Sequence, residues 1–227
     1  MEIVTVYKSN DIIIVVKPVG IPSQSDPTGT PDLMTETSGS LAALGEKSEL
    51  WLIHRLDRNV GGLIVFARNK KSASELSRLV AAGEIEKKYF AVSEGEVAEG
   101  EYRDYLYKDA VSGKSYPVKS ARKGAKEAIL FAKPLAFEDG KTLLDITLVT
   151  GRFHQIRAQL SSRKNPLVGD KKYGSRDGIA KTPALFSYSL SFTLFGKRIS
   201  ATAMPQQDKY PWSLFDLKKI QSVKENL

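Results

Sequence analysis

The sequence contains no cysteine, so it offers no disulfide, no thiolate nucleophile and no cysteine-ligated zinc or iron–sulfur site. Histidine is nearly as scarce. His54 and His154 are the only two, too few for a histidine-rich metal centre. Long apolar runs are missing as well: IIIVV at 12–16 is far shorter than a membrane span or a signal segment requires. A cytoplasmic protein with no membrane attachment and no bound metal is expected. Acidic residues are sparse in two windows. Residues 108–126 hold six Lys/Arg against Asp109, and residues 152–176 hold seven against Asp170. Together the windows carry +11 in a chain whose net charge is +8, so the remainder is −3. Basic charge gathered in this way suits a polyanionic partner, most simply nucleic acid, and it also suits a merely solvated basic surface.

What is present fits one globular domain over residues 1–227, with 41% hydrophobic and 26% charged residues. EIVTVY and DIIIVVKP read as two short strands, the second stopped by Pro18. VGIPSQSDPTGT is a loop, and residues 31–44 form a helix weakened by Gly39. WLIH is a short strand, and LIVFA after Gly61-Gly62 is a buried one. From Lys70 to Ala82 the apolar positions Ala73, Leu76, Leu79 and Val80 recur at helical spacing, with Gly83 as C-cap. KKYFAVSEG, EYRDYLYK, KSYPVKS, AILFAKPLAFE and TLLDITLVT are strands. In the last, Leu144, Ile146 and Leu148 alternate with Asp145, Thr147 and Val149. FHQIRAQLSS is a helix with Thr150 as candidate N-cap, PALFSYSLSFTL and KRISATAM form a hairpin, and residues 211–227 form a closing helix. Hairpin-connected strands with few helices predict an α+β fold: a mixed, mainly antiparallel sheet flanked by a few helices.

Four segments could carry chemistry. In HRLDRNVGG, 54–62, Asp57 stands between Arg55 and Arg58, and positive neighbours favour the ionised form of a carboxylate. Such a group could be a nucleophile, a base or half of a structural ion pair. If 53–57 run extended, Arg55 and Asp57 share one face, with His54 and Leu56 on the other. In TGRFHQIRAQL, Phe153, Ile156 and Leu160 would be buried, while His154 and Arg157 share another edge of the helix. A basic surface helix is the plainer alternative. VGDKKYG, 168–174, could clamp a phosphate backbone or simply turn the chain. Tyr89 of EKKYFAV lies on a strand, where a tyrosine is commonly a core residue.

Taken in order, DIIIVVKPVGIPS, HRLDRNVGGLIVFA, EKKYFAV, GRFHQIR and GDKKYG resemble the RluA-type RNA pseudouridine synthases, from about residue 10 to 205. The resemblance implies the pseudouridine synthase fold and an isomerase that converts an RNA uridine to pseudouridine without a cofactor. It implies that Asp57 is the catalytic aspartate, that Arg157 pairs with and orients it, and that Tyr89 packs on the target base and assists proton removal. Arg55 would fill the gap left by the flipped nucleotide. Further RNA contacts are expected at His54, Arg58, Arg152, His154, Lys171, Lys172 and Tyr173. The substrate would be ribosomal or transfer RNA, and a monomer is the simpler expectation.

The chain departs from the family pattern in two places. Asn59-Val60-Gly61-Gly62 replaces D-T-S-G, and Gln159 replaces a histidine after HQIR. The chain is also expected to lack the S4-like RNA-binding module of some relatives. The competing reading is a non-catalytic RNA-binding or chaperone protein on the same fold, against which the joint presence of Asp57, Tyr89 and Arg157 argues. A hydrolase would need a second carboxylate near Asp57, which no motif supplies.

Overall fold

The computed structural model describes residues 3–25, 29–121 and 123–217. In chain order the strands are β1 (Thr5–Lys8), β2 (Ile12–Lys17), β3 (Trp51–Leu52), β4 (Gly61–Ala67), β5 (Glu86–Glu94), β6 (Gly100–Asp109), β7 (Lys114–Val118), β8 (Ala125–Glu138), β9 (Lys141–Leu148), β10 (Leu185–Leu194) and β11 (Lys197–Thr202). The helices are α1 (Leu33–Ala43), α2 (Lys70–Ala82) and α3 (Gln155–Ser162). Contacts divide the chain into two compact units, one of Met1–Lys87 with Ser187–Met204 and one of Lys88–Phe186 with Pro205–Leu227.

In the first unit the strand order is β1-β2-β4-β10, with β11 on β10 and β3 on β4. The β1–β2, β2–β4, β3–β4 and β10–β11 pairings are antiparallel. Every residue of β4 is buried, which explains why GGLIVFA shows no alternation: both faces of the strand are covered. On one face Ile12, Ile14, Leu63, Val65, Leu190 and Phe192 pack against Leu76 and Leu79 of α2. Asn69 caps α2 by accepting the Ser72 N–H at 2.8 Å. Gly83 ends it in the left-handed conformation, φ +73°, as the sequence predicts. β10 and β11 are joined by Phe195-Gly196, both at positive φ (49° and 78°). That is the backbone of a two-residue type I′ turn, which favours Asn-Gly or Asp-Gly. Phenylalanine there costs about 1–3 kcal/mol as a non-glycine residue in the left-handed region.

The second unit has the order β5-β9-β8-β6-β7, antiparallel throughout. Leu144, Ile146 and Leu148 of β9 are buried and their alternate neighbours are more exposed, matching the period-2 reading. β8 runs unbroken for 14 residues despite Pro134, because the register shifts between Pro134 and Ala136. A bulge is where a strand tolerates the missing N–H. Ala158 of α3 packs on Leu106 and Ala128.

Three expectations are corrected. The WLIH strand is only Trp51–Leu52; beyond it the His54 ring, not a backbone carbonyl, meets the next strand. Thr150 does not cap α3. The helix starts at Gln155 behind His154, which is left-handed at φ 53°, while the Thr150 hydroxyl donates to Gln155 Oε1 at 2.8 Å and accepts the Ile129 N–H at 2.8 Å. α3 is not a basic surface helix either, since Gln155 through Leu160 are all buried. Of the closing helix, Trp212–Leu214 is a short 3-10 turn, and residues 218–227 lie outside the described residues. No helix among the described residues is long and apolar enough to cross a membrane.

Candidate functional site

The segment carrying Asp57 is irregular, and its shape is set from below. Arg55 is exposed, Leu56 buried and Asp57 half-buried, the alternation expected of an extended approach, and it ends at the exposed Arg58. The buried Ser23 hydroxyl grips Leu56 twice, donating to its carbonyl at 3.0 Å and accepting its N–H at 3.2 Å. The Asp57 carbonyl then accepts the Val60 N–H at 3.0 Å, closing a turn. The Arg58 carbonyl accepts from Gly20 N at 2.9 Å and from Lys17 Nζ at 3.0 Å.

Lys17 is 0% exposed. Besides Arg58 it donates to the carbonyls of Pro18 at 2.9 Å and Ile21 at 2.8 Å. Three acceptors meet the three N–H donors of an ammonium, the form this pocket is built to hold. Burial pushes Lys17 down to about 8, while the Asp57 carboxylate opposes that shift and Arg58 adds to it. The lysine therefore ties the 18–21 loop to the 57–60 turn and lies within electrostatic reach of Asp57. Sequence reasoning gave it no role, although a lysine closing the run IIIVV just before Pro18 was the available signal.

Arg58 reinforces the same junction, donating from Nε to the Gly20 carbonyl at 2.9 Å and from Nη2 to Thr30 Oγ1 at 3.2 Å. Arg55 makes no hydrogen bond or ion pair among the described residues. His54 Nε2 accepts the Val65 N–H at 3.3 Å, which requires an unprotonated nitrogen. Burial, with Lys87 beside it, pushes the imidazole down to about 3 and keeps it neutral. The second glycine of the pair is obligatory: at Gly62, φ +118°, a Cβ would stand 2.3 Å from the Ser187 carbonyl oxygen and 2.4 Å from its nitrogen.

The second unit holds its own group. Tyr89, 5% exposed, lies on β5 opposite Ile146 of β9. Arg157 is buried and gripped bidentately by Asp170, Nε to Oδ2 at 2.7 Å and Nη2 to Oδ1 at 2.9 Å. Its guanidinium also lies over the Tyr173 ring, 5.0 Å from the centroid. The Tyr173 hydroxyl accepts the Ser115 N–H at 2.7 Å and sits 3.0 Å from His154 Nδ1. His154 in turn stacks on Phe153 at 3.8 Å, and Lys108 Nζ caps the Phe153 ring at 4.6 Å. VGDKKYG thus works as a clamp for Arg157 through Asp170 and Tyr173. The sequence reading noted Asp170 only as the lone acid of a basic window.

The remaining expected RNA contacts are at the surface. Lys171 and Lys172 are exposed, the former donating to the Asp177 carbonyl. Arg152 is exposed and donates to the Glu127 carbonyl at 2.7 Å. Among the described residues no group of three or more His, Asp or Glu could hold a metal ion.

Comparison with known proteins gives the family. The model described as RNA pseudouridylate synthase matches residues 11–162, a segment that contains Asp57, Tyr89 and Arg157. An uncharacterized RNA pseudouridine synthase of Haemophilus influenzae is 29% identical over 221 residues, covering 92% of this chain and 91% of that protein. Ribosomal large subunit pseudouridine synthase C of Rickettsia felis is 30% identical over 206 residues, 87% of this chain but 66% of that longer protein. Among solved structures, human RNA pseudouridylate synthase domain containing 1 shares the fold, with a TM-score of 0.79 at 18% identity over 100% of this chain and 96% of that one. The α+β architecture, the ordered motifs and the matched segment agree, and the chain belongs to the RNA pseudouridylate synthase family.

Proposed function

We propose that this chain isomerises a specific uridine of structured ribosomal or transfer RNA to pseudouridine, with Asp57 as the reacting carboxylate. The observation that carries the reading is the fixing of the Asp57 turn: Ser23 and Lys17 hold the main chain on either side of the aspartate. Rigid presentation of a reacting group is what a near-attack geometry requires. The carboxylate acts at the ribose, as nucleophile at C1′ or as base at C2′, and the N1–C1′ bond breaks. The uracil turns and C5 bonds to C1′, as the carboxylate leaves C1′ in the first route or returns its proton to C2′ in the second; the C5 proton then leaves and N1 takes one. Atoms and electrons balance within the nucleotide, so the step calls for no redox partner.

Tyr89 packs against the base and assists loss of the C5 proton, and Arg157, steadied by Asp170, orients Asp57. The target must leave its stack to expose C1′, and Arg55 fills the gap. Arg152, Lys171 and Lys172 face the phosphates. His54, Arg58, His154 and Tyr173, which also have partners within the protein, make further RNA contacts. The protein acts in the cytoplasm, as a single domain and without a partner subunit.

The test is tritium release from RNA labelled at uracil C5, using ribosomal and transfer RNA pools from cells lacking the protein. Wild type is expected to release tritium from one pool, and Asp57→Asn to release none while keeping its melting temperature and RNA affinity. Turnover by Asp57→Asn would refute the assignment of that residue.

A further inference from the structure

The β10–β11 turn carries a contradiction. Phe195 occupies a left-handed position, φ 49°, yet the residue is 46% exposed and contributes little to the core. Lys71 Nζ lies 4.7 Å from the ring centroid, but an exposed cation–π contact returns less than a bulky residue loses in that backbone conformation. Asparagine would suit the turn better. Folding alone does not account for a phenylalanine here.

The surroundings give it a purpose. Lys70, Lys71 and Lys197 are all exposed, and none makes an ion pair among the described residues. Of the acids in this unit, Glu75 and Glu84 pair with Arg78 and Glu86 faces Arg198 at 3.8 Å, while Asp11 accepts from Asn69 and Ser72 at the start of α2. Lys71 on the exposed ring, with Lys70 next to it in the chain and Lys197 two positions beyond Phe195, gives the combination that holds a single-stranded polyanion, ring against base and ammonium against phosphate. β10 places this tip at its far end from Ser187, the residue against Gly62. Seven residues of strand at roughly 3.3 Å each make about 23 Å.

We propose that Phe195, with Lys70, Lys71 and Lys197, forms a second RNA contact remote from the Asp57 turn, where the ring stacks on an unpaired base of the substrate. The inference rests on the pseudouridine synthase reading above.

The experiment compares wild type, Phe195→Asn and Phe195→Trp for melting temperature, RNA affinity, and KM and kcat in tritium release. Phe195→Asn is expected to melt a few degrees higher, with KM and Kd raised roughly 5- to 50-fold and kcat unchanged. Phe195→Trp should keep the wild-type KM. If Phe195→Asn is more stable and binds RNA as wild type does, the turn is only strained and the contact does not exist. Equal weakening in Phe195→Trp would likewise overturn it, because any flat ring should stack. A protein retained by wild type and lost by Phe195→Asn, with RNA affinity unchanged, would give the tip to a protein partner instead. Failure of the underlying reading looks different: wild type itself would neither bind RNA nor release tritium.

Discussion

The two units differ in the anchoring around their principal residues, through the main chain in one and through a side chain in the other. In the first, Ser23 and Lys17 hold the main chain at Leu56 and Arg58, one residue to either side of Asp57. In the second, the Arg157 side chain is itself gripped, by the Asp170 carboxylate and the Tyr173 ring. A main-chain hold fixes where a turn runs and leaves the side chain's own contacts to be set separately. A guanidinium presents five N–H groups in a fixed fork, so a bidentate carboxylate sets its plane directly.

That contrast can be broken from either side. The largest effect is expected at Asp170→Ala, which leaves the Arg157 charge buried without its carboxylate and should cost about 3–5 kcal/mol in urea unfolding. A loss below about 1 kcal/mol would mean that the grip is dispensable. Lys17→Met is expected next, at about 2–3 kcal/mol, because up to three carbonyls lose a buried donor. Its diagnostic is catalytic: kcat should fall well beyond what the stability loss explains, since the Asp57 turn loosens. Wild-type kcat in a folded Lys17→Met protein would show that the turn holds its shape unaided.

A smaller effect sharpens the picture of His54. Its folded value of about 3 lies below the ordinary 6.5, so the unfolded chain binds the extra proton between those limits. The stability it contributes is complete above about pH 6.5 and is lost progressively as pH falls toward 3, with a limiting slope of about 1.4 kcal/mol per pH unit. His54→Gln keeps an acceptor for the Val65 N–H but cannot titrate. Unfolding curves at pH 7 and 5 should show a gentler acid loss in the variant, and identical slopes would remove His54 from the core of that segment.

Much of this molecule was legible in its sequence. Apolar runs and turn residues located the strands, the α2 cap and the β10–β11 hairpin, and five ordered motifs pointed to the family. Lys17 and Asp170 were not legible as anchors. A lysine or an aspartate is ordinarily a surface residue, and what buries these two lies elsewhere in the chain: the Arg58 carbonyl, 41 positions from Lys17, and the Arg157 guanidinium, 13 positions from Asp170. Periodicity reports which face of an element is apolar. It does not report which buried charge meets which partner. The start of α3 was misplaced for a related reason: the helix begins behind the left-handed His154 with no side-chain cap, and the Thr150 hydroxyl is bonded to Gln155 and Ile129 instead.

Gly62 gives the last consequence, best put as a statement about variation. The Ser187 main chain fills the space where any side chain at 62 would go. If each codon of the gene were randomised and functional clones recovered, position 62 would return glycine and little else. Gly39, with nothing within 4 Å of its missing Cβ, would return a broad alphabet led by better helix formers. Nor could the link between Asp57 and β4 readily gain or lose a residue, because its end is pinned to a neighbouring backbone. Change in which RNA is chosen would have to accumulate in other loops, while this one stays at a single length.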